Sequence, residues 1–478
     1  MPRRDVRMVL CAGAGDGRHC AIGAERLQSL GYTDIRILAG GIEAWQGAGF
    51  ELFSGVHVPS KAFGEFVETT AGTPHIQATD IEKMRDAGED FVILDSRPFK
   101  EYHLMNIPGA INVPGAELVY RIDDLAPDPN TRIIVNCAGR TRSIIGAQSL
   151  INAGVPNPVA AIENGTMGWH LAGLQLERRQ ERKFDALSLQ AHLTAMDRAI
   201  AVRERFGIRM VDSATADDWA ADQKRTTFFL DVRDPGEFAV AHRPGSKSAP
   251  GGQLVQATDH YVGVRRARLV LIDNDSVRAT MTASWLIQMG WDDVFILFDD
   301  GASFQAPAPP PPRQINAQLQ PHMLTAGALI DALKAGEAVV VDMATSIEYR
   351  DKGHIPGSWF AIRSELPGNL AAVPDAAMLV LTSPDGTFAE LVYADAVRSG
   401  RDVKILDGGT GAWSAAGQPL EYGFTHMADP PIDLWYKPYE FDDGDKNIEQ
   451  AMEQYLTWEV DLVGQIERDG TTEFRIFD

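Results

Sequence analysis

A strand-turn-helix pattern is repeated along this chain with nearly constant internal spacing, and this regularity limits the folds that the chain can adopt. The first half of the pattern is an apolar strand that ends in Asp and is followed by Glu and an aromatic residue, at 91–102, 227–238 and 338–349. The second half is an apolar strand followed by one or two glycines and an aromatic residue, at 35–45, 159–169, 293–304 and 403–413. The sequence therefore predicts several copies of one small domain.

The distances between corresponding positions argue against chance. From the Asp that ends the first strand to the residue after the central strand, the gap is 42 residues (Asp95 to Cys137), 42 residues (Asp231 to Asp273) and 41 residues (Asp342 to Ser383). From there to the closing aromatic residue it is 32 (Trp169), 31 (Phe304) and 30 (Trp413) residues. Near-continuous apolar strands that alternate with helices are typical of parallel sheets covered on both faces. We therefore predict an α/β chain of tandem domains, each a mainly parallel sheet with helices on both faces.

We name the three complete copies by the residue that follows the central strand. The predicted organisation is a partial unit at 1–56, the Cys137 repeat at 75–178, a helical linker at 179–207, the Asp273 repeat at 208–304, a Pro-rich linker at 305–315, the Ser383 repeat at 316–424, and an extension with an amphipathic helix at 425–478. The linker helix is predicted to have Leu187, Leu189, Leu193, Met196 and Ile200 as its apolar side. The partial unit holds only the later half of the pattern, so we expect the earlier half to lie upstream of this chain.

Composition narrows the class of protein. The formal net charge of -22 disfavours nucleic acid and anionic lipid as partners, so an anion site requires a local positive region. No run of about 18 apolar residues is present to span a bilayer. Three cysteines in 478 residues cannot form a disulfide framework, which favours a reducing compartment, and we expect the cytoplasm.

The segment from Arg132 to Leu150 is the most informative for function. Cys137 lies at the end of a predicted strand, Arg140 and Arg142 lie in the turn, and Ser143 is predicted to cap the following helix. Unpaired backbone N–H groups at a helix start favour the thiolate form of a nearby cysteine and bind anions. The pattern predicts an activated nucleophile beside a site for a small oxyanion.

These motifs resemble those of rhodanese-homology domains, the sulfurtransferase fold. The matching features are the strand ending Asp95-x-Arg97, the turn at 107–114, the Cys loop at 137–143 and the closing Gly165-x-x-x-Trp169. The whole chain is similar to sulfurtransferases that string several such domains together. The resemblance implies a two-step reaction in which a Cys thiolate takes sulfur from a donor such as thiosulfate, releases sulfite, and passes the persulfide sulfur to cyanide or a thiol.

On this resemblance Cys137 is the catalytic residue. The substrate-binding residues are Ala138, Gly139, Arg140, Thr141, Arg142 and Ser143, whose amides and guanidinium groups would hold the anion. The supporting residues are Asp95 and Arg97, expected to form a buried ion pair, and Trp169, expected to close the core. One arginine could instead pair with a carboxylate such as Glu101 and only rigidify the domain. No metal or cofactor is implied; a protein acceptor or a homo-oligomer is possible.

The other copies depart from the pattern. A carboxylate at Asp273 or a hydroxyl at Ser383 cannot form a persulfide, so both repeats are predicted to be inactive. Cys11 lies in register in a longer loop, and Cys20 is expected on a helix. Two other functions stay open: a non-enzymatic persulfide carrier or binding scaffold, and phosphate-ester or arsenate chemistry. The Cys-x4-Arg spacing favours sulfur chemistry over that of related phosphatases, which use Cys-x5-Arg.

Overall fold

The structure is a computed structural model that describes residues 3–13, 17–299, 301–307, 318–440 and 448–477. The chain forms two compact bodies, which are treated separately below. The larger body contains Met1–Ala308 and Pro438–Asp478, and the smaller body contains Pro309–Lys437.

The larger body begins with a two-stranded parallel sheet. Its elements are β1 (Met8–Leu10), α1 (Arg18–Ser29), β2 (Ile35–Ile37) and α2 (Gly41–Gly47). Helix α3 (Val58–Ala71) follows and packs on the next domain.

The Cys137 repeat is a five-stranded parallel sheet in the order β3-β7-β6-β4-β5. Its strands are β3 (His75–Ile76), β4 (Phe91–Asp95), β5 (Ile111–Asn112), β6 (Arg132–Asn136) and β7 (Val159–Ile162). Its helices are α4 (Ala78–Ala87), α5 (Phe99–Leu104), α6 (Leu118–Leu125), α7 (Thr141–Asn152) and α8 (Gly165–Leu171).

Helix α9 (Leu189–Arg205) leads into the Asp273 repeat, whose parallel sheet has the order β10-β9-β11-β12-β8. Its strands are β8 (Arg209–Asp212), β9 (Thr227–Asp231), β10 (Lys247–Ser248), β11 (Arg268–Ile272) and β12 (Val294–Phe298). Its helices are α10 (Ser213–Ala221), α11 (Pro235–Val240), α12 (Gly251–Gln256), α13 (Thr258–Tyr261) and α14 (Val277–Gln288).

The smaller body holds the Ser383 repeat, with the parallel order β13-β17-β16-β14-β15. Its strands are β13 (Met323–Leu324), β14 (Ala338–Asp342), β15 (Trp359–Phe360), β16 (Met378–Thr382) and β17 (Val403–Leu406). Its helices are α15 (Ala326–Lys334), α16 (Ser346–Asp351), α17 (Thr387–Ala396) and α18 (Gly409–Ala415). All three sheets share one strand order, which confirms the predicted fold class. The last helix, α19 (Ile448–Asp469), belongs to the larger body.

The central strands are buried on both faces because helices cover each side of the sheet. In β6, Ile133 and Val135 face one apolar core and Ile134 faces another. The first of these cores is continuous with the core of the Asp273 repeat, where it includes Leu230 and Leu269. The two repeats of the larger body therefore bury one face of each sheet in a common apolar core.

Of the apolar side predicted for the linker helix, Leu187 packs against an apolar cluster, but the prediction was wrong for the residues on the helix itself. Helix α9 packs against α6 and α14 through Ala191, Ala195, Ala199 and Val202, which are buried. The larger residues Leu189, Leu193, Met196 and Ile200 are exposed. Both stripes have helical spacing, and the alanine stripe allows closer approach of the neighbouring helices, which residue hydrophobicity alone does not reveal.

Two further expectations concern the Pro-rich linker and membrane-spanning segments. The Pro-rich linker predicted at 305–315 lies outside the described residues from position 308 onward. Among the described helices, none combines the length and the apolar composition needed to cross a bilayer.

Candidate functional site

The Cys137 loop connects β6 to α7 at the carboxyl edge of the sheet. Cys137 directly follows β6, and α7 begins at Thr141 with Arg140 at the N-cap position. The prediction that Ser143 caps this helix was therefore wrong, because Ser143 already lies inside its first turn. Its hydroxyl instead donates to the Arg140 carbonyl (2.8 Å) and accepts from the Cys137 thiol (3.4 Å). The helix begins three residues earlier than the predicted Ser143 cap indicated.

Backbone N–H groups of the loop follow Cys137 in the chain and lead into the start of α7. Within the described part of the chain, the amides of Ala138 to Ser143 donate to no hydrogen-bond acceptor. The Asp273 repeat shows what such a loop can hold. There the Asp273 carboxylate accepts from the amides of Asn274 (2.9 Å), Arg278 (2.8 Å) and Ala279 (3.2 Å). The loop at the corresponding position of another repeat therefore binds an oxyanion within this protein.

Arg142 forms the same kind of ion pair as the arginine at the corresponding position of the Asp273 repeat. Its guanidinium pairs with Glu101 at 2.8 Å and also donates to Gln253 (3.1 Å). The corresponding residues of the Asp273 repeat, Arg278 and Glu237, form the same pair at 2.6 Å. Since that repeat has no cysteine, the arginine-glutamate pair belongs to the framework of the domain. This pairing is the arrangement given above as the alternative to anion binding, in which one arginine pairs with Glu101 and rigidifies the domain.

Arg140 is also paired with carboxylates. Its guanidinium forms a bidentate ion pair with Glu65 of α3, with both N–O distances 2.8 Å. It also donates to Glu68 and Asn164. Burial raises the pKa of Glu65, and its pairing with Arg140 opposes that rise. Both arginines are thus close to the loop, but their charges are largely neutralised by neighbouring carboxylates.

The supporting residues hold the base of the loop. Asp95 and Arg97 form a fully buried ion pair at 2.7 Å, and Arg97 also donates to the Met105 carbonyl (2.6 Å). Asn136, the last residue of β6, donates to Asp95 at 2.9 Å, which ties the ion pair to the strand that carries Cys137. Trp169 is buried in the apolar core on the opposite face of the sheet from α7.

Two helices from outside the repeat cover the loop. Glu459 of α19 is fully buried, and its Oε1 accepts from Lys61 of α3 (2.6 Å), Thr141 (3.3 Å) and Tyr455 (3.1 Å). Although burial alone would lower the pKa of Lys61, the Glu459 carboxylate raises it above its usual range. The cover leaves only 2% of Cys137 exposed.

Sequence reasoning missed Lys61, Tyr455 and Glu459 as neighbours of the loop. The apolar stripe of α19 indicated that this helix packs on something, and Met452 and Leu456 do pack on Ala138 and Met167. The stripe carried no signal for its partner, because Glu459 is 318 residues beyond Thr141.

The Asp273 loop is occupied by its own carboxylate, and residues of the Cys137 repeat also contact it. Glu117 of the Cys137 repeat pairs with the buried Arg278 at 2.8 Å, and Tyr120 donates to Asp275. The loop of this repeat therefore serves as a contact between the two domains of the larger body.

The remaining candidate positions differ from Cys137 in their surroundings. Ser383 Oγ accepts from the Ala389 amide at 3.2 Å. Asp342, which corresponds to Asp95, is buried and has no arginine partner in the part of the chain that the structure describes, and burial raises its pKa to about 6. Cys11 is exposed after β1, and Cys20 lies on α1.

Comparison with known proteins extends these observations. The rhodanese-like domain family matches residues 77–172, 214–303 and 325–416, and each range contains four of the five strands of one parallel sheet. The chain is similar to the crystal structure of a thiosulfate sulfurtransferase from Pseudomonas aeruginosa. The two are 48% identical with a TM-score of 0.93, and the match covers 100% of this chain and 90% of the other. An HTH-type transcriptional regulator of Mycobacterium tuberculosis is 33% identical over 108 residues, which are 22% of this chain and 46% of that protein.

Proposed function

Because the chain belongs to the rhodanese-like domain family, whose matches cover more than half of its residues, we propose that it transfers sulfane sulfur through a persulfide on Cys137. The donor is thiosulfate or a similar small sulfur anion, and the acceptor is cyanide or a thiol. The name of the 48% identical Pseudomonas aeruginosa protein supports thiosulfate as the donor.

The observation that carries this proposal is the contrast between two loops of the same chain. In the Asp273 repeat the loop amides bind a carboxylate, whereas in the Cys137 repeat they donate to no acceptor among the described residues and a thiol takes the place of that carboxylate. A loop that binds an oxyanion next to a sulfur nucleophile suits a donor that is itself a sulfur oxyanion.

The proposed reaction has two displacements. The Cys137 thiolate attacks the outer sulfur of thiosulfate, the sulfur–sulfur bond of the donor breaks, and sulfite leaves with the bonding electrons. An acceptor thiolate then attacks the outer sulfur of the persulfide, and Cys137 leaves as thiolate. Amides from Ala138 to Ser143 hold the oxyanion during the first step. Arg140 and Arg142, already paired, position the loop and add a weaker positive field.

The other repeats are proposed to be non-catalytic. Asp273 fills its own loop, and Ser383 has no thiol chemistry. We assign the Asp273 repeat a scaffold role, because its loop contacts Glu117 and Tyr120 of the catalytic domain. The free cysteines, Cys11, Cys20 and Cys137, suit a reducing compartment such as the cytoplasm.

Mass spectrometry after mixing the protein with thiosulfate tests the proposal. We expect one added sulfur atom on the peptide that contains Cys137, and none in a Cys137→Ser variant. Transfer of that sulfur to cyanide, measured as thiocyanate, distinguishes an enzyme from a persulfide carrier, which would load without turnover. A protein that hydrolyses p-nitrophenyl phosphate and gains no sulfur would contradict the proposal.

A further inference from the structure

A buried carboxylate oxygen lies at the Cys137 loop with no hydrogen-bond partner. Glu459 Oε1 is fully engaged, but Glu459 Oε2 is buried and unpartnered among the described residues. A Cβ atom built at position 139 would lie 2.9 Å from this oxygen and 3.4 Å from Tyr455 Cε1. The carboxylate therefore touches the loop two residues after the nucleophile, where the proposed mechanism needs room for an anion.

The charge of Glu459 is compensated only in part from the side of the loop, where Arg140 attracts it. Lys61 approaches Oε1 at 2.6 Å, whereas Arg140 and Arg142 are engaged with Glu65, Glu68 and Glu101. A dianion that enters the loop must therefore share a buried region with the negatively charged Glu459 carboxylate. Like charges separated by a few ångström in such a region repel each other strongly.

We infer that Glu459 is a specificity-determining residue of the Cys137 site, which disfavours doubly charged donors relative to less charged ones. The inference rests on the proposed function for its substrate class and goes beyond it by assigning the selectivity to the last helix of the chain. The carboxylate lies beside Gly139, and the helix that carries it packs on the loop through Met452 and Leu456.

The charge at the site is tested without relying on sulfur transfer. Alkylation of Cys137 is followed by mass spectrometry with iodoacetate, which is anionic, and iodoacetamide, which is neutral. In Glu459→Gln the ratio of the iodoacetate rate to the iodoacetamide rate is expected to rise on the order of tenfold. The matched control is Glu453→Gln, since Glu453 is an exposed glutamate on the same helix, and its ratio is expected to stay within about twofold of the unchanged protein.

Removal of the Glu459 charge leaves Lys61 buried without its partner, so the double variant Lys61→Met, Glu459→Gln is measured alongside. If the single variant fails to fold, the double variant is compared with Lys61→Met, from which it differs only in the charge of Glu459. An unchanged ratio in a folded variant, or the absence of any Cys137 alkylation in it, overturns the inference.

The rate of persulfide formation with thiosulfate separates the two proposals. If both hold, this rate rises on the order of tenfold in Glu459→Gln. A shifted alkylation ratio without any persulfide on Cys137 contradicts the proposed function but supports the selectivity of Glu459. Persulfide formation at an equal or lower rate in the variant, with an unchanged ratio, overturns the role of Glu459 and leaves the sulfurtransferase standing.

Discussion

The substitution Asp342→Asn is expected to stabilise the Ser383 repeat at neutral and alkaline pH. In the Cys137 repeat the corresponding Asp95 is neutralised by Arg97, but position 344 in the Ser383 repeat is alanine. Among the residues that the structure describes, the fully buried Asp342 accepts only from the Ala344 amide (2.9 Å) and from Thr410 (3.4 Å). Burial therefore raises its pKa to about 6, from 3.8, with a smaller contribution from Glu348.

The sign and size of the effect follow from proton linkage. Below pH 3.8 the carboxyl is protonated in both the folded and the unfolded chain, so it does not change stability with pH. As the pH rises toward 6, the unfolded chain releases the proton and the folded chain keeps it, which favours unfolding. A difference from 3.8 to about 6 corresponds to about 3 kcal/mol, lost in full above pH 6. A neutral Asn avoids this loss.

Hydrogen exchange in the full-length protein measures the effect locally. Amides of β14 report the free energy of opening of the Ser383 repeat, after correction for the intrinsic exchange rate. We expect Asp342→Asn to raise that free energy by up to about 3 kcal/mol at pH 8 and to change it little at pH 4. The matched control, Asp95→Asn, leaves Arg97 buried without its counterion and is expected to lower stability by about 3–5 kcal/mol.

Two results would refute this reasoning. One is a lower opening free energy of Asp342→Asn at pH 8. The other is a difference between the variant and the unchanged protein that is the same at pH 4 and pH 8, because a buried titrating charge must produce a difference that depends on pH.

Three further predictions concern the Cys137 and Asp273 loops. Gly165→Ala would place a Cβ 2.4 Å from the Cys137 carbonyl oxygen and is expected to cost more than about 2 kcal/mol in thermal unfolding, whereas Gly154→Ala, also at positive φ but in open space, costs about 1 kcal/mol; equal costs would contradict the contact. Glu101→Gln is expected to lower the unfolding free energy by about 2–4 kcal/mol in urea titration, because it leaves Arg142 underpaired; no change would restrict that pair to a minor role. Asp273→Cys is expected to gain no sulfur from thiosulfate by mass spectrometry, because Glu117 adds a second carboxylate on Arg278 of that loop, and a persulfide there would contradict this charge argument.

The sequence alone determined the fold class and the repeat register. Apolar strands that end in Asp95, Asp231 and Asp342 recur at distances that only a common domain explains, and the three sheets have one strand order. Local chemistry was readable for the same reason: Cys137 was placed after a strand, and the Asp95 and Arg97 pair follows from residues two positions apart. These features depend on neighbours in the chain, and neighbours are what a sequence displays.

The surroundings of the thiol were decided by tertiary structure. Glu65, Lys61 and Glu459 reach the Cys137 loop from helices outside its own repeat, and no periodicity links them to it. The pairing of Arg142 with Glu101 could have been inferred from the glutamate that recurs six residues after the strand-end Asp. That Arg142 pairs with this glutamate and does not face the anion site alone depends on the folded geometry. Charge compensation and burial are set by which elements meet in space, so the selectivity of this site is a property of the packed chain.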